Sequence, residues 1–275
     1  MNPAFALAEV VWIVCGRNDS AFLNYFNPNL PRLAGNGATY RGAYGHRLRK
    51  HFKIDQLERA YRVLSADCDS RQVVLQIWDS AEDMPREDGT AQAQDVPCNI
   101  AALLKLREGH LEWTQIMRSN DLVLGLPHNI VQFSSLQEVL AGWLGVEVGS
   151  YHHFTDSLHL YERDAPVSDR IALRPLPPNV ESIALQKATS ERSFSNLAAL
   201  GDRLSSPTAD ADEVSVAFQS VDFEPAFRSW AAILTADALR RRKALRMMES
   251  VMENCSNTCL ATMFERWLDR HRDVL

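Results

Sequence analysis

The chain has 275 residues, enough for one large domain or one domain with an appendage. With 46% hydrophobic and 23% charged residues it is composed like a globular protein. A net charge of −6 leaves no excess of cations to face a nucleic-acid backbone. No apolar run approaches the roughly 20 residues that span a bilayer. Neither nucleic acid nor membrane is therefore an expected partner. The apolar start, "MNPAFALAEVVWIVCGRND", lacks a basic lead-in and carries Glu9 within the run, so it reads as a buried helix rather than a signal peptide. Five cysteines without framework spacing point to reduced thiols and a cytoplasmic location.

In chain order, residues 5–15 read as that helix, and 27–45, rich in Gly, Pro and Asn, as loop. Ile54, Leu57, Ala60, Tyr61 and Leu64 recur at helical spacing over 54–66. "RQVVLQIW" (71–78) is β-branched and reads as a strand, followed by an acidic loop over 79–97. Two apolar runs around Glu108-Gly109 predict a hairpin, and 130–144 predicts a helix ending near Gly145. "SYHHFTDSLHLYERD" reads as a strand with a bend, with His152 and His153 on its surface. After about residue 165 the composition changes, through "RPLPPNVES" and the acidic "SSPTADADE". From Leu239 the pattern is helical, with one stripe of Leu245, Met248, Met252, Cys255, Cys259, Met263 and Trp267. That stripe fits packing on the main domain or a partner-binding helix. The division expected is 1–165 and 166–275, the second part largely helical and packed on the first.

Cys98 follows Pro97 at a loop–strand junction. As a residue by itself it fits a buried cysteine or an activated nucleophile. The order of motifs around it adds a resemblance. "AEVVWIVCGRNDSAFL" looks like E-L-x-W-F-L-x-G-x-T-N, and "RGAYGHRLR" like G-x-x-Y-G-x-x-W-R. "SADCDSRQVVLQIWD" resembles a D-P-x-S-R-R strand, and "VPCN" stands where P-C-H is usual. "MRSNDLVLGLPHNI" follows Q-R-S-x-D-x-x-L-G-L-P-F-N-I, and "GVEVGSYHHFTDSLHLY" matches a segment ending H-x-Y. Over residues 7–161 the chain resembles the thymidylate synthase and pyrimidine-nucleotide hydroxymethylase family, whose members act on dUMP, dCMP or CMP.

The resemblance implies an α/β (α+β) fold, a mixed β-sheet flanked by helices, assembled as a homodimer. It implies a pyrimidine nucleoside monophosphate as substrate and 5,10-methylene-tetrahydrofolate as co-substrate. Cys98 would add to C6 of the ring, making C5 a carbon nucleophile. Asn129 would read the base edge, its amide suiting N3–H and O4 of uracil. Arg118 and Ser119 would hold the phosphate, Arg118 also favouring the Cys98 thiolate. His159 and Tyr161 would hold the sugar. Glu9 would manage protons and water. Asp121 would bind the pterin, with Leu124 and Gly125 beneath it and His128, in place of a Phe, beside the folate. Arg71 would reach the phosphate of the partner's site.

The departures carry information too. Gln72 replaces the second Arg of the S-R-R pair, Asn99 the usual His, and Met117 the usual Gln, while Asp156 is shifted by one place. The segment that usually precedes the Glu helix, with its phosphate-binding Arg, is expected to be missing. Loop 27–43 has no Trp, where thymidylate-forming members pack tryptophans over the exocyclic methylene. An uncovered methylene meets water, which favours 5-hydroxymethylation over reductive methylation unless Trp113 or Trp143 folds over the site. The alternative of another class is a non-catalytic nucleotide-binding or scaffold homologue.

Overall fold

Helix α1 (Pro3–Val14) is apolar on every side, with Glu9 its one charged residue, and such a helix must be covered all round. Asn2 caps it by accepting from the N–H groups of Ala4 and Phe5, and Pro3 supplies the first helical position. The computed structural model describes residues 1–168 and 175–270. After α1 come α2 (Ser20–Phe26), α3 (Leu30–Ala34) and α4 (Tyr44–His46), which runs into a π turn at Arg47–His51. Helix α5 (Gln56–Ala66), capped by Asp55, leads to strand β1 (Val73–Gln76) and the short α6 (Ser80–Asp83). The segments read as loops, 27–45 and 79–97, thus hold short helices. Arg47, fully buried, ties them together, pairing with Asp83 at 2.9 Å and donating to Arg41 O at 3.1 Å.

Strands β2 (Asn99–Arg107) and β3 (His110–Asp121) form the predicted hairpin. Glu108 and Gly109 both take left-handed φ, +51° and +78°, as a two-residue hairpin turn requires. Helix α7 (Leu126–Leu144) then crosses over to β4 (Glu147–His159), which pairs parallel with β3. The sheet order is β1-β2-β3-β4, with the first two pairings antiparallel. The expected mixed sheet flanked by helices is therefore present. The bend expected in the last strand has its counterpart near that strand's start: Leu111 pairs with Val148 and Trp113 with Tyr151, so β4 sets three residues against two of β3 before running on to His159. One sheet face buries Val73, Leu75, Leu104, Trp113 and Met117, whereas Val74, Leu103 and Phe154 are 53%, 43% and 58% exposed.

After a 3-10 turn (Glu162–Asp164) and α8 (Ala165–Ser168), the rest of the described chain is helical. It comprises α9 (Lys187–Leu204), α10 (Ala211–Gln219), α11 (Pro225–Arg241), α12 (Leu245–Met252) and α13 (Thr258–Asp269). Helices α9, α11 and α13 pack on α1 as α7 does, so one hydrophobic core contains residues of both parts. The single stripe expected from Leu239 is corrected. Lys243 turns the chain at φ +59°, Asn257 caps a new helix, Leu245 is 46% exposed, and Cys255 lies between helices. No Gly or Pro marks these breaks, so the pattern ran through them.

Gly45 fits beneath α1, where a Cβ would collide with the backbone of Ile13. Backbone cannot swing aside, so Gly45→Ala is expected to cost about 1–3 kcal/mol, read as a lower urea midpoint at unchanged m.

Candidate active site

Cys98 stands at the entry to β2, against Arg118 on β3. The Arg118 backbone N–H donates to Cys98 O at 3.0 Å. Its guanidinium donates to Pro97 O at 3.0 Å and Val96 O at 3.3 Å, and lies 4.0 Å from Cys98 Sγ. The Trp78 ring sits 5.4 Å from that guanidinium. Asp95, three residues ahead of the thiol, accepts from Gly42 N–H at 2.7 Å. Burial pushes the Cys98 thiol above its ordinary pKa; Arg118 pulls it down and Asp95 pushes it further up. Arg118 thus acts in the expected direction but is outweighed, because a half-buried sulfur loses more hydration than one cation restores.

Asn129, on the first turn of α7, is 7% exposed and sits in a chain of buried amides. Its Nδ2 donates to Gly125 O at 3.0 Å and to Asn120 Oδ1 at 3.1 Å. A carbonyl only accepts, so these partners fix which end of the amide is nitrogen. Oδ1 accepts from Asn99 Nδ2 at 3.3 Å. The chain continues from Asn99 Oδ1 to Gln115 Nε2 (2.8 Å), and from Gln115 Oε1 to Trp113 Nε1 (3.0 Å). In the other direction Asn120 Nδ2 meets His153 Nε2 at 3.3 Å, and His153 Nδ1 meets the Tyr151 hydroxyl at 2.9 Å. Both Asn129 N–H groups are thus engaged within the protein, and Oδ1 keeps one further lone pair. His153, read as a surface residue, is half-buried, and burial lowers its pKa so that the neutral ring is favoured. His152 is exposed, as expected.

The parallel pairing of β3 and β4 brings the other strand residues together. Ser119 Oγ lies 3.4 Å from His159 Nδ1, and the His159 and Tyr161 rings meet edge-on with centroids 5.1 Å apart. Asp121 Oδ1 accepts from the N–H groups of Val123, Leu124 and Gly125, closing the turn into α7. Asp121 Oδ2 is buried and has no hydrogen-bond partner. Leu124 is 49% exposed beside it. Gly125 admits no side chain, since a Cβ would lie 2.6 Å from Asn120 Oδ1.

Glu9 and His128 meet across 119 residues of sequence, Oε2 to Nδ1 at 2.8 Å, each side chain 15% exposed. Phe5 packs on the His128 ring with centroids 5.1 Å apart. Tyr44, present in a motif but not singled out, hydrogen-bonds Asn99. Its phenol is held well above the ordinary range by burial, with Cys98, Asp95 and Glu9 all adding to the shift. Tyr44 therefore lies within electrostatic reach of both Cys98 and Glu9. Arg71 is exposed ahead of β1 and, among the described residues, has no hydrogen bond or ion pair with the Cys98 group. Trp113 and Trp143 are core residues, 0% and 6% exposed, so neither folds over the site. Tyr44, Asn120, Trp78 and His153 all lie inside the matched motifs, and that place was the one sequence signal for them.

The thymidylate synthase family model matches residues 1–199. The chain belongs to the thymidylate synthase family. A deoxyuridylate hydroxymethyltransferase of Bacillus phage SP01 is 41% identical over 175 residues, 60% of this chain and 45% of that protein. One from Pseudomonas phage M6 is 38% identical, over 62% of this chain and 49% of that protein. The chain thus spans about half the length of these relatives. The thymidylate synthase A of Bacillus subtilis superposes with a TM-score of 0.51 at 25% identity, covering 62% of each chain. That of T4 phage gives 0.52 at 20% identity and 64% of each, a likeness of fold.

The opposed charges around Cys98 give a signed test. Iodoacetamide labelling of Cys98, followed by peptide mass, should have its pH midpoint above that of an ordinary thiol. Arg118→Met should move the midpoint up by removing the cation, and Asp95→Asn should move it down. Equal shifts in one direction would count against this balance of charges.

Proposed function

We propose that the chain transfers a one-carbon unit to C5 of a pyrimidine nucleoside monophosphate through a Cys98 adduct at C6, and that the product is the 5-hydroxymethyl nucleotide. The observation that carries it is the joining of Cys98, Arg118, Asn99, Asn129 and Tyr44 in one contiguous group. The two phage relatives, both deoxyuridylate hydroxymethyltransferases by name, point the same way.

Arg118 favours the thiolate that attacks C6, against the burial that resists it. With Nε and Nη2 spent on backbone carbonyls, Arg118 has Nη1 left for a phosphate oxygen, alongside Ser119 and Arg71 of the partner subunit. His159 and Tyr161 hold the sugar. The spare lone pair of Asn129 Oδ1 suits the N3–H of uracil, whereas N3 of cytosine is itself an acceptor, so uracil is the favoured base. With both Asn129 N–H groups engaged, O4 falls to another donor. Methylene-tetrahydrofolate supplies the one-carbon unit when bound. Asp121 fits it: the unpartnered Oδ2 calls for a donor such as a pterin N–H, with Leu124 and Gly125 beneath the ring and His128 beside it.

Loop 27–43 supports the hydroxymethyl product. It contains no Trp, and Gln94 Nε2 donates to its Arg32 O at 3.2 Å, so it lies against the segment leading to Cys98. Water then reaches the methylene. Reductive methylation is the second reading, favoured by Trp78, an aromatic ring beside Arg118. A homodimer is supported by the exposed Val74, Leu103 and Phe154 on one sheet face. The described residues of 166–275 serve as a helical part packed on a 1–165 catalytic core.

Incubation with dUMP, UMP, dCMP or CMP and methylene-tetrahydrofolate should add CH2O to a uracil nucleotide and release tetrahydrofolate. Addition of CH2 with dihydrofolate absorbance would return the chain to reductive methylation. Cys98→Ala should abolish tritium release from C5, and undiminished release would sink the covalent route.

If Arg71 serves the other subunit, Arg71→Ala and Cys98→Ala chains mixed under exchange should regain activity in hybrid dimers. Hybrids confirmed by native mass spectrometry yet inactive would exclude the shared site.

A further inference from the structure

We infer that Glu9 and His128 form a carboxylate–imidazole pair in which His128 is the base that activates the water captured at the C5 methylene. The inference rests on the hydroxymethyl reading above, and it assigns that reaction a residue beyond Cys98 and Glu9.

The geometry fixes the roles of the two ring nitrogens. The Glu9 carboxylate approaches Nδ1 at 2.8 Å and, when ionised, can only accept. Nδ1 of the neutral ring therefore carries the proton, and Nε2 is left with its lone pair. Among the described residues, His128 Nε2 has no hydrogen-bond partner. Phe5 packs on the ring, and the 15% of each side chain left exposed keeps the pair open to a small molecule. His128 is the residue next to Asn129, on the first turn of α7, and Glu9 lies within electrostatic reach of Tyr44, which in turn reaches Cys98. The pair thus borders the place where a base held by Asn129 and attacked by Cys98 would lie.

The phenylalanine usual at this position offers no base. A histidine held by a carboxylate does, in the arrangement that orients an imidazole towards a hydroxyl or a water. In the step proposed, the water oxygen bonds to the exocyclic methylene carbon and its proton passes to His128 Nε2. The carbon–carbon π pair moves into the ring and rests on O4 as an enolate. Collapse of the enolate restores C5=C6 and expels the Cys98 thiolate. Nothing is oxidised or reduced, and the one-carbon unit leaves as CH2OH on C5.

His128→Phe and His128→Gln test it, the first keeping a ring against Phe5, the second keeping a hydrogen bond to Glu9. In a single turnover with enzyme in excess, both should slow hydroxymethyl product on the order of 100-fold while slowing C5 tritium release far less. Acid quenching should then show nucleotide retained on Cys98 by protein mass. Independently of turnover, 15N spectra of the unliganded protein should show neutral His128 protonated on Nδ1, a preference that Glu9→Gln weakens. Product at the wild-type rate in His128→Phe would overturn the assignment, as would equal loss of tritium release and product in both variants. Methylated product with dihydrofolate from the unaltered protein would instead overturn the hydroxymethyl reading itself, before any variant is made.

Discussion

The hydrogen bond from Asn129 to Asn120 ties the first turn of α7 to the end of β3, and the site depends on it. Gly125 passes so close to Asn120 that no side chain fits, and Asp121 Oδ1 closes the turn between them. The group is buried, so each polar atom must find a partner or cost roughly 1–3 kcal/mol. Gln115, Asn99, Asn129, Asn120 and His153 satisfy one another in sequence. The orientation of one amide therefore constrains the next. Asp121 Oδ2, beside this chain of amides, is buried without a partner among the described residues.

Around this frame the chemistry is set by opposition between burial and charge. Burial keeps the Cys98 thiol protonated, and Arg118 offsets only part of that effect. Arg118 is itself held by the carbonyls of Val96 and Pro97, so its charge cannot swing away from the sulfur without breaking those bonds. Tyr44 experiences the same burial and stays a neutral O–H within reach of Cys98 and Glu9.

The helical C-terminal part packs around this environment, and among the described residues it contributes none to the Cys98 group. Helix α1 carries Glu9 on an otherwise apolar surface, and α9, α11 and α13 join α7 in covering it. Without that cover the apolar helix presenting Glu9 would face water. Gly45 and the buried Arg47 fix the loop beneath it, so the position of one carboxylate draws on most of the fold.

The sequence by itself determined the local elements and the order of the chemistry-bearing motifs. Alternating apolar residues around Glu108-Gly109 specify a hairpin because side-chain period and turn conformation are local properties. The same holds for α1, α5 and α7, and for family membership, since Cys98, Arg118, Asp121 and Asn129 sit in motifs that keep their order. Short helices inside loops and the breaks near Lys243 and Asn257 were not legible, because no Gly or Pro marks those breaks. Only the tertiary structure decided what depends on distance through space. It set Glu9 against His128 across 119 residues, put His153 into an amide chain, and buried Trp113 and Trp143 in the core. It also decided that Cys98 is pushed up rather than down, because desolvation is a property of everything packed around a group and no short stretch of sequence contains it.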